Sequence, residues 1–187
     1  MSLTDVFRRI VSILNQANIP YMLTGSFAAV YYGAPRSTQD IDFVIAATPE
    51  QLRTFDLSLP KQEYYFDLDA ALEAEKRESL FNVIDKTAGW KIDFIMQKSR
   101  PFSEQEFHRR KEIDFQGVSL LVATAEDVIL SKLEWAKLAQ SQRQLEDVAR
   151  LLNMRRDALD RKYLEKWIDD LGLDQEWKAA GRILGSE

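Results

Sequence analysis

An α/β (α+β) fold, with a small mixed β-sheet flanked by helices and then a helical C-terminal part, is what this sequence predicts. Three observations predict it. Short apolar runs bounded by turn residues alternate with helical patterns as far as Ala123. The tripeptide Ile-Asp-Phe occurs three times, in "STQDIDFVIA", "WKIDFIMQ" and "KEIDFQGV", and the first two copies lie within the apolar–polar alternation of half-buried strands. Beyond Thr124 no strand pattern remains, and "TAEDVILSKLEWAKLAQ", "RQLEDVARLLN", "RDALDRKYLEKWIDDLG" and "DQEWKAAGRIL" all read as helices. The expected division is an α/β core over residues 1–123 and a helical region, packed on it, over 124–187.

In chain order, Thr4 reads as the N-cap of a helix with Val6, Ile10, Ile13 and Leu14 on its apolar face. "NIP" interrupts it, "YMLTG" is a buried strand, and "SFAAVYYG" is a short apolar helix closed by Gly33. "QDIDFVIA" is the next strand. Thr48, Pro49 and Gln51 then open a helix with a capping box and proline at its first position. The acidic, aromatic stretch Lys61 to Glu78 reads as loop then helix. "LFNVIDKTAGWKIDFIMQ" is a hairpin turning near Ala88-Gly89. "SEQEFHRRKE" reads as a helix capped by Ser103, and "QGVSLLVAT" as a last strand. Thr124 with Asp127 caps the first C-terminal helix, and Gly172 ends the third.

Composition removes several function classes. Without cysteine there is no disulfide, thiolate metal site or cysteine nucleophile. A single histidine, His108 in "FHRRK", excludes most zinc hydrolases and multi-imidazole phosphodiesterases. Neither a Walker A loop nor a Gly-x-Ser-x-Gly elbow is present. A net charge of −5 does not advertise nucleic-acid binding, and the runs Arg8-Arg9, Arg109-Arg110-Lys111 and Arg155-Arg156 read first as solvated helix faces. The uncharged stretch from Asn15 to Pro35 approaches the roughly 20 residues of a membrane span, but its glycines, prolines and polar residues argue for buried strand, turn and helix. No signal-peptide pattern is seen, so a cytoplasmic protein without a membrane partner is expected.

Residues two apart on a strand share a face, so Asp40, Asp42 and Val44 project together and Ile41, Phe43 and Ile45 oppose them. In the second copy Lys91, Asp93 and Ile95 share a side. Were the two strands neighbours, Asp93 would stand about 5 Å from the Asp40/Asp42 face. Three carboxylates so close repel unless a cation neutralises them. Magnesium is the natural one, and two ions about 3.5–4 Å apart can hold the attacking and leaving oxygens of a phosphoryl transfer. Upstream, "LTGSFAAVYYG" runs a strand into Gly25-Ser26 at a helix start, where backbone N–H groups can meet phosphate.

Together, "TGS", "RSTQDIDF" and "KIDFIM" resemble the nucleotidyltransferase superfamily that includes DNA polymerase beta. "TAEDVILSKLEWAK" and "QLEDVARLL" further resemble the lysine- and aspartate-bearing helices of small bacterial members such as the AbiEii-type toxins of type IV toxin–antitoxin systems. The resemblance implies Asp40, Asp42 and Asp93 as catalytic metal ligands for two magnesium ions, with Asp93 helping to deprotonate the attacking hydroxyl. It implies Gly25, Ser26, Arg36 and Lys132 as contacts of a nucleoside triphosphate donor. A snorkelling surface role for Lys132 stands beside that one, and Asp147 either orients Lys132 or faces water. The implied reaction moves a nucleoside monophosphate to a hydroxyl and releases pyrophosphate. The acceptor is a tRNA end, a protein hydroxyl or a small molecule such as an aminoglycoside, and a toxin or antitoxin partner is in scope. The alternative is a nucleotide-binding or toxin–antitoxin interaction module without catalysis. Trp135, Trp167 and Trp177 read as packing residues, and Asp114, in the third Ile-Asp-Phe, reads as a turn or strand edge with no catalytic role.

Overall fold

The computed structural model describes residues 2–34 and 37–185, and the chain divides into two compact units. Unit 1 comprises Met1–Thr24 and Thr38–Val122; unit 2 comprises Gly25–Ser37 and Ala123–Glu187.

Unit 1 is built on a seven-stranded mixed sheet. Its strands are β1 (Tyr21–Thr24), β2 (Asp40–Ile45), β3 (Tyr64–Phe66), β4 (Leu80–Asp85), β5 (Trp90–Met96), β6 (Lys111–Phe115) and β7 (Val118–Val122), in the order β3-β4-β5-β2-β1-β7-β6. The pairs β2–β5 and β1–β7 are parallel, and the other neighbours are antiparallel. Helices α1 (Leu3–Gln16), α3 (Pro49–Ser58), α4 (Leu68–Lys76) and α5 (Pro101–Arg109) complete the unit. Apolar alternation drives the sheet to bury one ridge, and the rings of that ridge cluster: Phe94 stacks on Phe43 at 5.9 Å and on Phe81 at 5.3 Å, and meets Phe55 edge-on at 5.5 Å. The hairpin between β4 and β5 is tied by Asp85, which is fully buried. Its carboxylate accepts from the Thr87 and Ala88 amides and from Arg9 at 2.8 Å, fastening the turn to α1.

Unit 2 holds α2 (Gly25–Tyr31), α6 (Ala125–Ala139), α7 (Gln142–Arg155), α8 (Arg161–Leu171) and α9 (Asp174–Leu184). Thr124 caps α6 by accepting from the Asp127 amide, while the buried Asp127 carboxylate accepts from Thr124 Oγ1 at 2.6 Å and from Tyr163 Oη at 2.6 Å. Gly172 ends α8 at φ 62°, as glycine permits. Tyr32 Oη donates to the Ala123 carbonyl at 2.8 Å. Burial, with Tyr31 and Glu126 nearby, pushes its hydroxyl up to about 12. The unfolded chain releases that proton near pH 10 and the folded chain only near 12. Tyr32 therefore contributes its full stability below pH 10 and loses it as pH rises toward 12. Urea unfolding at pH 9 and pH 11.5 is expected to show Tyr32→Phe losing about 2 kcal/mol less than the wild type over this interval. Equal losses would refute it.

The predicted elements are present, with four local differences. Ser2, not Thr4, caps α1: its hydroxyl accepts from the Asp5 amide and the Asp5 carboxylate returns to the Ser2 amide, because Ser2 and Asp5 have capping-box spacing. Thr4 lies inside the helix and donates to Gln116 at 2.7 Å. β3 arises within the stretch read as loop, since a three-residue edge strand is too short to show alternation. Helix α5 starts at Pro101 with Arg100 at the cap position, and Ser103 is buried within it, accepting from Arg100 Nε at 2.9 Å. Lys111 and Glu112 belong to β6 rather than to a helix, on an edge whose charges mask the strand pattern and protect it from pairing. Among the described residues no helix is long and apolar enough to cross a membrane.

Candidate active site

The first two copies of Ile-Asp-Phe lie side by side. Parallel β2 and β5 pair Ile41 with Ile92, Asp42 with Asp93 and Phe43 with Phe94. The four apolar residues are each 0% exposed, so a one-residue slip would drive an aspartate into the core. Hydrophobic register thus sets two carboxylates opposite one another, about 4.8 Å apart in backbone spacing. Like charges so placed destabilise a sheet. On its other edge Asp42 pairs with Thr24, the last residue of β1.

Asp40, two residues before Asp42 and exposed, has Lys91 as its register partner. Lys91 Nζ donates to Asp93 Oδ2 at 2.7 Å. That hydrogen bond, and the charges of Asp93, Asp40 and Asp42, hold the Lys91 ammonium above the usual lysine range despite partial desolvation. The second oxygen of Asp93, Oδ1, is buried and has no hydrogen-bond partner. An unpartnered buried carboxylate oxygen is costly unless something cationic completes it. Among the described residues no three carboxylate or imidazole side chains form a ready metal cage. Magnesium, however, commonly takes one or two carboxylates and fills its shell with water and phosphate oxygens. Asp42 and Asp93, with Asp93 Oδ1 unsatisfied, fit that demand.

No protein-family model matches the sequence, and a search of curated proteins found no match. Solved structures do resemble the chain. A crystal structure of ANT(2'')-Ia in complex with adenylyl-2''-tobramycin aligns with a TM-score of 0.59 and 12% identity over 95% of this chain and 99% of that one. A solution structure of ANT(2'')-Ia, described as an antibiotic-resistance factor, aligns at 0.54 and 13% over the whole of both chains. An antigenic nucleotidyltransferase-like protein from Paracoccidioides brasiliensis aligns at 0.52 and 16% over 94% and 91%. The chain has the nucleotidyltransferase fold.

Within this nucleotidyltransferase fold the remaining predicted residues fall as follows. Gly25 directly follows Thr24 and adopts φ 64°, a left-handed conformation that glycine takes without strain. Ser26, in the first turn of α2, is buried. Arg36 lies outside the described residues. Lys132 is not a surface lysine: it is 3% exposed, and its ammonium donates to Asp147 Oδ2 at 2.8 Å and to Gln144 Oε1 at 3.0 Å, joining α6 to α7. Asp147 orients Lys132 rather than facing water. Asp114 sits on edge strand β6, exposed, accepting from the Gly117 amide. Lys91 is the residue to which sequence reasoning gave no role, although the Lys-x-Asp spacing already put it on the face of Asp93.

Proposed function

We propose that the chain is a magnesium-dependent nucleotidyltransferase that moves a nucleoside monophosphate from a nucleoside triphosphate to a hydroxyl. The observation that carries this reading is Asp42 opposite Asp93 in register, with Asp93 Oδ1 buried and unpartnered. Asp40, Asp42 and Asp93 are the proposed ligands of the divalent ions, which when bound would neutralise charge on the phosphates. Asp93 is the proposed proton acceptor for the attacking hydroxyl. The acceptor oxygen forms a bond to the α-phosphorus, the bond to the bridging oxygen breaks, and pyrophosphate leaves. The family resemblance assigns triphosphate contacts to Gly25, Ser26 and Arg36. It adds Lys132 as a fixed charge, held in place by Asp147 and Gln144 rather than swinging as a free arm.

For the acceptor, the net charge of −5 favours a cationic small molecule over a polyanionic RNA. ANT(2'')-Ia, with its adenylyl-2''-tobramycin complex, offers a structural parallel for a small-molecule hydroxyl. A role in a toxin–antitoxin pair is the second reading and rests on the helical motifs around Lys132 and Asp147. The test is incubation with each α-labelled triphosphate, magnesium, and either an aminoglycoside panel or cell extract. Label in a small molecule, with pyrophosphate released, is expected. Label in RNA or protein would move the acceptor to those classes, and no label in any fraction would refute the transferase.

A further inference from the structure

The carboxylate face of the sheet already contains a cation. Lys91 bonds Asp93 Oδ2 at 2.7 Å, is the register partner of Asp40, and lies within the field of Asp42. Its side chain is 44% exposed and that of Asp93 15%, so the pair sits at the wet edge of the face rather than in the core. Asp93 is also divided: one oxygen is held by Lys91, and the other is buried without a partner.

Resting on the proposed function, we infer that Lys91 is a positioning residue for the metal: it pins Asp93 through Oδ2, presents Oδ1 alone to a divalent ion, and keeps that ion weakly bound until a triphosphate arrives. The physical reason is charge. Without nucleotide, the ammonium both relieves the Asp42–Asp93 repulsion and repels an incoming cation. The triphosphate brings negative charge that offsets Lys91 and oxygens that complete the ion's shell. Ion and nucleotide therefore bind with positive, reciprocal coupling.

The experiment is a Mn2+ titration of nucleotide-free protein at low ionic strength, followed by electron paramagnetic resonance of the free ion. It compares the wild type with Lys91→Met, Lys91→Arg and Asp42→Asn. Lys91→Met is expected to bind Mn2+ about tenfold more tightly, with the gain shrinking as salt is raised. Its metal-free Tm is expected to fall and its metal-induced rise in Tm to grow. Lys91→Arg is expected to keep the wild-type affinity, which a loss of packing alone would not explain. Lys91→Met affinity equal to or weaker than wild type, while Asp42→Asn still loses the ion, would overturn the role of Lys91 and leave the transferase reading standing. Mn2+ binding indifferent to Asp42→Asn would overturn both.

Discussion

Asp42→Asn is expected to reduce nucleotidyl transfer by roughly 10²–10³-fold while the protein stays folded. The substitution removes a full charge from the face proposed to hold a divalent ion, and loss of one electrostatic stabiliser in such a site commonly costs roughly 10²–10³ in rate. Stability should hold or rise slightly. Asp42 is only half-buried, and its opposition to Asp93 is a like-charge pair whose relief is worth a few tenths of a kcal/mol, up to about 1. The measurement is pyrophosphate release with saturating magnesium, beside circular dichroism and a metal-free Tm. Wild-type turnover in the variant would remove Asp42 from the mechanism. Lost turnover with a collapsed Tm would show instead that Asp42 maintains the sheet.

Asp147→Ala is expected to destabilise unit 2 by about 3–5 kcal/mol, among the largest stability effects a point change in this chain should produce. The side chains of Lys132 and Asp147 are 4% and 2% exposed, so truncating the acid leaves a buried ammonium without its carboxylate. Gln144 remains as an acceptor for Lys132 but carries no charge. Arg150, 3.3 Å from the other Asp147 oxygen, also loses a partner, though its side chain reaches solvent. The double variant Lys132→Met, Asp147→Leu should recover most of the loss, because a buried ion pair is replaceable by packed apolar groups more readily than it is broken. Urea denaturation with a probe in α6 or α7 measures both. A loss below about 1 kcal/mol for Asp147→Ala would show that water reaches the pair.

How much was legible depended on the length scale of the signal. The strand face of Asp40 and Asp42 followed from period-two alternation, and the caps at Thr48 and Thr124 from residues within four positions of each other. The same rules misassigned the cap at Thr4, two residues from a better one. They missed β3 and assigned the first two residues of β6 to a helix, because these edge positions leave few buried residues to produce a pattern. For Lys132 the local sequence was silent. A lysine on a helix reads as solvent-facing until its partner 15 residues later is known to fold back against it.

The candidate aspartates and the faces they occupy were decided locally, because strand alternation is a property of each segment alone. That both aspartate-bearing strands pair in parallel, with Asp42 against Asp93, was a choice of sheet topology. It depends on the chain crossing over through α3, β3, α4 and β4 before returning as β5. No local pattern encodes such a return; burial of Ile41, Phe43, Ile92 and Phe94 on one common face selects it. The placement of Lys91 among three carboxylates is a consequence of that register. A side chain with no role when each strand is considered separately becomes the hydrogen-bond partner of Asp93 and the neighbour of Asp40 once the strands are joined.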